Sequence, residues 1–120
     1  MNKNLEQVIE LSDKLLSFKI KRHALKEKFQ AKTTIGHNGG IFKINQDFIS
    51  YLKALLDLGK DSQVILIDIN DNPIVIENLK IFFYEILDKY FSALGEYHAG
   101  VQDIKESKPQ LWDITNVDTK

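Results

Sequence analysis

The beginning of the chain repeats apolar residues every three or four positions, and this spacing constrains the fold more than any other feature. The spacing is that of a coiled-coil heptad, with Arg22 at one polar position within the apolar stripe. Neither proline nor glycine interrupts residues 2–31, so we predict a helix there that is about 45 Å long. A second apolar stripe widens the apolar face of this helix, which indicates more than one packing partner. Its residues are Ile9, Leu16, Ile20 and Ala24.

The same apolar spacing returns over residues 78–107 and predicts a second helix of similar length. Gly95 and Gly100 weaken this helix by about 1 kcal/mol each, and Pro109 ends it. One long helix enters the middle of the chain and the other leaves it, so the two can lie antiparallel. We therefore predict a coiled-coil-like stalk of two long antiparallel helices.

Turn residues and β-branched residues replace the helical spacing between the two long helices. Asn38-Gly39 predicts a hairpin over residues 32–44, because both central residues of such a turn need positive φ. A helix over residues 46–58 and a second hairpin over residues 63–76 follow. The predicted fold class is α+β, in which a small head of two β-hairpins and one short helix adjoins the stalk.

The predicted elements form one domain and a tail. We place residues 1–108 in a single α+β domain, which is a usual size for one hydrophobic core. Residues 109–120 are mostly polar and predict an extended C-terminal tail. Three apolar residues in this tail are candidates for docking on another surface, and exchange of the arm between identical subunits is the favoured interpretation. They are Leu111, Trp112 and Ile114.

The composition is typical of a folded globular chain, with 43% apolar residues, 28% charged residues and a net charge of -1. These values exclude wholesale disorder and binding driven by net charge. The sequence has no cysteine, which excludes disulfides, thiolate zinc sites and cysteine nucleophiles. The longest apolar run, residues 64–67, is too short to span a membrane, and residues 1–6 are polar, unlike a signal peptide. We expect no membrane association and a cytoplasmic location.

No constellation of residues predicts catalysis. The three histidines, His23, His37 and His98, belong to no nucleophile elbow, phosphate-binding loop or helical zinc motif. We therefore predict that the protein is not an enzyme, and we assign no catalytic residue, no cofactor and no metal site.

The first hairpin is unusually rich in glycine. Its turn could present backbone N–H groups to an anion, which makes it a possible contact for a ligand or a partner. A tight turn requires the same residue types, and a purely structural turn is the favoured interpretation. The residues are Gly36, His37, Asn38, Gly39 and Gly40.

The second hairpin carries acidic and amide side chains near its turn. Asp68, Asp71 and Glu77 lie close in sequence to Asn70 and Asn72. The run lacks the turn glycine and the bidentate glutamate of a calcium-binding loop. We interpret it as a turn stabilised by aspartate and asparagine side chains.

Charge is unevenly distributed along the chain. Residues 14–32 carry seven basic side chains and one acid, whereas residues 44–104 carry ten acids and four bases. The basic row could contact a polyanion such as nucleic acid. Pairing with acidic residues of the same chain or of another subunit is the favoured alternative. The candidate polyanion contacts are Lys19, Lys21, Arg22, Lys26 and Lys28.

The breadth of the apolar faces on both long helices predicts a homo-oligomer. Arg22 could fix the register of such an assembly, or it could extend its guanidinium group into water while its stem packs. The residues predicted at the oligomer interface are Val8, Leu11, Leu15, Phe18, Arg22, Leu25, Phe29, Phe83, Ile86, Tyr90 and Tyr97.

The runs at residues 33–44 and 67–74, TTIGHNGGIFKI and IDINDNPI, resemble small uncharacterised proteins of tailed bacteriophages. The resemblance implies a virion component or an assembly factor, located in the host cytoplasm or the virion, that binds a second phage or host protein. The function expected is that of a non-enzymatic, homo-oligomeric structural or assembly protein. Two alternatives remain open: a regulator that binds a small anionic ligand or nucleotide, and a nucleic-acid-binding accessory protein.

Overall fold

The computed structural model describes residues 2–106, which form three helices and two antiparallel hairpins. This arrangement confirms the predicted α+β class and the predicted order of elements. The elements are α1 (Asn2–Lys32), β1 (Thr34–His37), β2 (Gly40–Lys43), α2 (Gln46–Asp57), β3 (Ser62–Ile67), β4 (Pro73–Asn78) and α3 (Leu79–Glu106).

The chain divides into two compact units. We call Phe29–Gly95 the α/β unit, because it holds both hairpins and α2. The described residues of the other unit, which we call the helical unit, are 2–28 of α1 and 96–106 of α3.

Local sequence signals determine where α2 begins and ends. The side-chain oxygen of Asn45 accepts a hydrogen bond from the backbone N–H of Phe48 at 2.8 Å, which satisfies one free donor of the first turn. Gly59 follows the helix with a φ of 81°, a conformation that glycine adopts without steric cost. Both helix ends therefore agree with the sequence prediction.

Each hairpin is a two-stranded antiparallel sheet. In the first, Ile35 lies opposite Phe42, and the turn residues Asn38 and Gly39 have φ values of 50° and 82°. Two consecutive positive φ angles match the right-handed twist of the flanking strands. The register thereby places alternate apolar residues on the same face.

The core of the α/β unit takes buried apolar side chains from all four strands and from α2 and α3. Phe42 of β2 lies at its centre, with ring centroids 5.6 Å from Phe82 and 5.8 Å from Phe48. Phe83 and Ile86 are buried in the same core. These two residues are therefore core residues of the folded chain, and their predicted place at an oligomer interface is wrong. A core residue and an interface residue share the same helical spacing, so the pattern did not distinguish them.

We expect Leu52→Ala to lower the free energy of unfolding by about 2–5 kcal/mol, because Leu52 of α2 is fully buried and its truncation leaves a cavity. Urea unfolding at neutral pH measures this change. Leu58→Ala is the control, since Leu58 is 75% exposed, and it should change stability by less than about 0.5 kcal/mol. Equal effects of the two substitutions would contradict the position assigned to the core.

Candidate functional site

The glycine-rich hairpin packs against the second hairpin and α3. The side-chain amide of Asn38 donates a hydrogen bond to the carbonyl oxygen of Val75 at 2.9 Å, and the His37 ring lies 4.5 Å from the Phe82 ring, between centroids. Gly40 is buried, and a Cβ atom placed on it would lie 2.5 Å from Cγ1 of Ile74. The hairpin needs a glycine at that position for close packing.

These contacts give the glycine-rich hairpin a structural role. His37, Asn38 and Gly40 contact the rest of the α/β unit, while Gly36 and Gly39 are exposed. The interpretation of this hairpin as a ligand or partner contact stays a prediction.

The carboxylate of Asp68 joins the two hairpins. Its Oδ2 accepts a hydrogen bond from the backbone N–H of Ile41 at 3.0 Å, across 27 residues of sequence. Its Oδ1 accepts from the N–H groups of Asn70 and Asn72 at 2.9 Å each. The N–H of Ile69 also donates to the carbonyl oxygen of Ile41 at 2.9 Å. The predicted turn stabilised by aspartate is present, and its carboxylate additionally reaches the neighbouring hairpin.

These hydrogen bonds alter the acidity of Asp68, whose side chain is buried. The N–H of Ile41 is the largest cause that holds the pKa of the carboxyl below its ordinary value. The N–H groups of Asn72 and Asn70 lower this pKa further, while burial raises it. Since the pKa is lower in the folded than in the unfolded chain, the carboxylate stabilises the fold above the unfolded-state value. That stabilisation is lost as the pH falls through the folded-state pKa.

One face of α1 packs within the helical unit. We call it the inner stripe, and it consists of Leu11, Phe18 and Leu25, which are all half-buried. Leu25 lies directly against α3 at Gly100, where a Cβ atom would stand 2.5 Å from its Cδ2. Glycine at this position allows the two helices to approach closely. Ile104, one turn further along α3, is buried.

The opposite face of α1 is apolar and exposed. At ~100° per residue, the second apolar stripe lies roughly across the helix axis from the inner stripe. We call this face the outer stripe. It consists of Leu5 together with Ile9, Leu16 and Ile20 of the second stripe, and these side chains are 58%, 52%, 58% and 60% exposed. Ala24, the small fourth residue of the second stripe, is also exposed but is not counted in the outer stripe.

The residues predicted at the oligomer interface therefore have different environments. Val8, Leu15 and Arg22 are exposed. In the α/β unit, the rings of Phe29 and Tyr90 form an edge-to-face pair with centroids 6.2 Å apart. Tyr97, like the inner stripe, is half-buried. The sequence prediction assigned the interface to the heptad spacing, whereas the structure leaves the outer stripe as the larger exposed apolar face. The predicted docking residues Leu111, Trp112 and Ile114 lie outside the described residues.

The basic row of α1 faces solvent. Its five residues are exposed, and within residues 2–106 none of them forms an ion pair. Nε2 of His23 on this part of the helix lies 2.9 Å from a carboxylate oxygen of Glu27, one turn further along. These five residues form no pair with acidic residues within residues 2–106, and the predicted pairing of the whole basic run 14–32, with the same chain or with another subunit, stays a prediction. The row is Lys19, Lys21, Arg22, Lys26 and Lys28.

Two further properties concern residues 2–106 only. No three histidine, aspartate or glutamate side chains come close enough together there to hold a metal ion. No helix in this range combines the length and apolar character needed to cross a bilayer.

Comparison of the chain with protein-family models, with curated proteins and with solved structures finds no match.

We expect Asp68→Asn to lower the melting temperature at pH 7, because an amide has one accepting oxygen where three N–H groups point at a carboxylate. The difference from the wild type should shrink as the pH falls below about 4, where the carboxyl group of the unfolded wild-type chain begins to gain its proton while the folded chain, with its lowered pKa, still resists protonation. Thermal unfolding at a series of pH values measures both effects.

Asp71→Asn is the matched control for Asp68→Asn. Asp71 lies in the same turn, its side chain is exposed, and asparagine tolerates its φ of 61°. The melting temperature of Asp71→Asn should depend on pH as that of the wild type does. A difference between Asp68→Asn and the wild type that stays constant down to pH 3 would contradict the role given to this carboxylate.

Proposed function

We propose that this chain is a non-enzymatic structural or assembly protein that self-associates through the outer stripe of α1. The observation that carries the proposal is the exposure of four large aliphatic side chains on one helix face. Burying such a half-exposed side chain in an interface contributes on the order of 1 kcal/mol to the free energy of association. Contiguous apolar faces of this kind mark interaction surfaces.

The stalk arrangement of the two long helices is part of the same proposal. The close approach of Leu25 and Gly100 supports a packed pair of helices in the helical unit. In that pair, the inner stripe of α1 is used within the chain. The outer stripe is then free to bind a partner. A second copy of the chain is a suitable partner, because it carries an identical apolar stripe.

The setting we propose is a bacteriophage virion or its assembly, either as a virion component or as an assembly factor. The support is the resemblance of residues 33–44 and 67–74 to small phage proteins. In this setting the α/β unit would present its surface to a second phage or host protein.

Nucleic-acid binding is the second candidate function, and one observation favours it. The five basic side chains of the row are exposed and form no ion pair within residues 2–106. A cluster of exposed positive charges on one helix segment can neutralise several phosphates of a nucleic acid.

We expect Ile9→Gln/Leu16→Gln to convert the oligomer into a monomer, because it places two polar side chains in the centre of the outer stripe. Glutamine has good helix propensity, so α1 itself should be retained. Size-exclusion chromatography with light scattering measures the mass at micromolar concentration. Ile81→Gln is the control, since Ile81 is an equally exposed aliphatic residue on a helix of the α/β unit. A monomeric wild type, or a double variant that keeps the oligomeric mass, would overturn the proposal.

For the second candidate, we expect Lys21→Gln/Lys26→Gln/Lys28→Gln to weaken binding to a single-stranded or duplex oligonucleotide. Each phosphate that is no longer neutralised should reduce the slope of log affinity against log salt by about 1. Fluorescence anisotropy in a salt titration measures this slope. Lys43→Gln/Lys60→Gln/Lys80→Gln removes the same charge from exposed positions outside the row and should leave the slope unchanged. If the wild type fails to bind at low salt, nucleic-acid binding is excluded as the function of the row.

A further inference from the structure

We infer that a second copy of this chain docks antiparallel on the outer stripe, so that Leu5 faces Ile20 of the other copy and Ile9 faces Leu16. This inference rests on the proposed self-association and adds its geometry: a two-fold dimer whose axis passes between Ser12 and Asp13 of α1.

The spacing of the outer stripe is the first argument. Its residues occur at steps of four, seven and four, so the stripe reads the same in both directions along the helix. A two-fold interface requires that residue i contact residue j and that j contact i. The midpoint between Leu5 and Ile20 is the same point of α1 as the midpoint between Ile9 and Leu16. In an antiparallel pair of α1 helices, one two-fold axis at that point therefore brings both pairs of residues into contact. Each layer then joins one leucine to one isoleucine, so all four layers have nearly equal volume.

The distribution of charge along α1 is the second argument. Glu6 and Glu10 lie in the first half of the stripe segment, and both are exposed. Lys19 and Lys21 lie at its end and beyond, and they are exposed without ion pairs within residues 2–106.

An antiparallel pair places Glu6 near one end of the stripe level with Lys19 of the other helix. A parallel pair would instead place like charges side by side. Exposed charge pairs contribute little to affinity, but they determine the orientation of helix pairs. Charge therefore selects the same antiparallel arrangement as the spacing of the apolar residues.

The helix offers enough length for this contact. The segment from Leu5 to Ile20 extends over ~22 Å of helix axis. The inner stripe lies on the other side of α1, so packing against Gly100 of α3 and docking of a second copy do not compete for the same face.

Single-cysteine crosslinking tests the orientation, and the chain suits it because it has no native cysteine. Ser12→Cys places a thiol next to the proposed two-fold axis, offset from its symmetry mate by only ~1.5 Å along the helix. Ile9→Cys places its two thiols about 10 Å apart along the axis, beyond the reach of a disulfide. We expect mild oxidation to link Ser12→Cys into a covalent dimer in high yield and to leave Ile9→Cys largely unlinked.

Two further variants complete the experiment. Leu5→Cys/Ile20→Cys should link as Ser12→Cys does, because its two positions face each other across the dimer. Ser50→Cys, on the exposed side of α2, measures the background from random collision.

The outcomes separate this inference from the proposal beneath it. A dimer by light scattering in which Ile9→Cys links and Ser12→Cys does not would overturn the antiparallel register and leave self-association standing. A wild type that is monomeric at micromolar concentration would overturn both. A monomer in which the emission of Trp112, the single tryptophan, shifts to the red on Leu16→Gln would show that the C-terminal segment of the same chain covers the stripe. That result would also overturn the inference.

Discussion

The carboxylate of Asp68 is the contact on which the α/β unit depends. Each of its sheets has only two strands, and an isolated hairpin is marginal in water. The unit therefore needs bonds between the hairpins as well as within them. Asp68 supplies one through the N–H of Ile41, the carbonyl oxygen of Ile41 supplies a second through Ile69, and Asn38 supplies a third to Val75. With the hairpins joined, Phe42 and its aromatic neighbours can form one core.

The helical unit is stabilised differently from the α/β unit. Its helix α1 has two apolar faces, and only one of them packs on α3. Gly100 lets Leu25 approach α3 closely, which uses the inner stripe inside the chain. Within residues 2–106 the outer stripe has no such contact, and its four side chains are more than half exposed. A helix with two apolar faces is stable as a component of an assembly, where each face has its own partner. The exposed outer stripe is therefore the physical support for the proposed structural function.

Much of the fold could be predicted from short-range sequence signals. Asn38-Gly39 predicted the first turn, and the predicted helix over residues 46–58 agrees with the cap at Asn45 and the positive φ of Gly59, because these residues act on their own backbone. The bond from Asp68 to Ile41 could not be predicted, since it joins residues 27 positions apart whose proximity depends on the packed core. Nor could the helical spacing distinguish Phe83, which is in the core, from an interface residue. For the site, the spacing predicted two stripes, and only the packing showed that Leu11, Phe18 and Leu25 of the first are half-buried while the large residues of the second remain exposed.

The two candidate functions of α1 are not independent, because they use the same helix segment. In an antiparallel dimer, Lys19 and Lys21 of one copy lie close to the level of Glu6 of the other, and their positive potential is partly neutralised there. Lys26 and Lys28 lie beyond the end of the outer stripe and keep their charge. A polyanion would therefore meet two separated basic ends on the dimer and one continuous basic row on the monomer. Since phosphate binding weakens with each cation that is neutralised, dimerisation and nucleic-acid binding through the full row oppose each other. The apolar outer stripe would not contribute to binding a polyanion, but it would contribute directly to pairing with the same stripe of a second copy. Self-association is therefore the function that the residues of α1 support best.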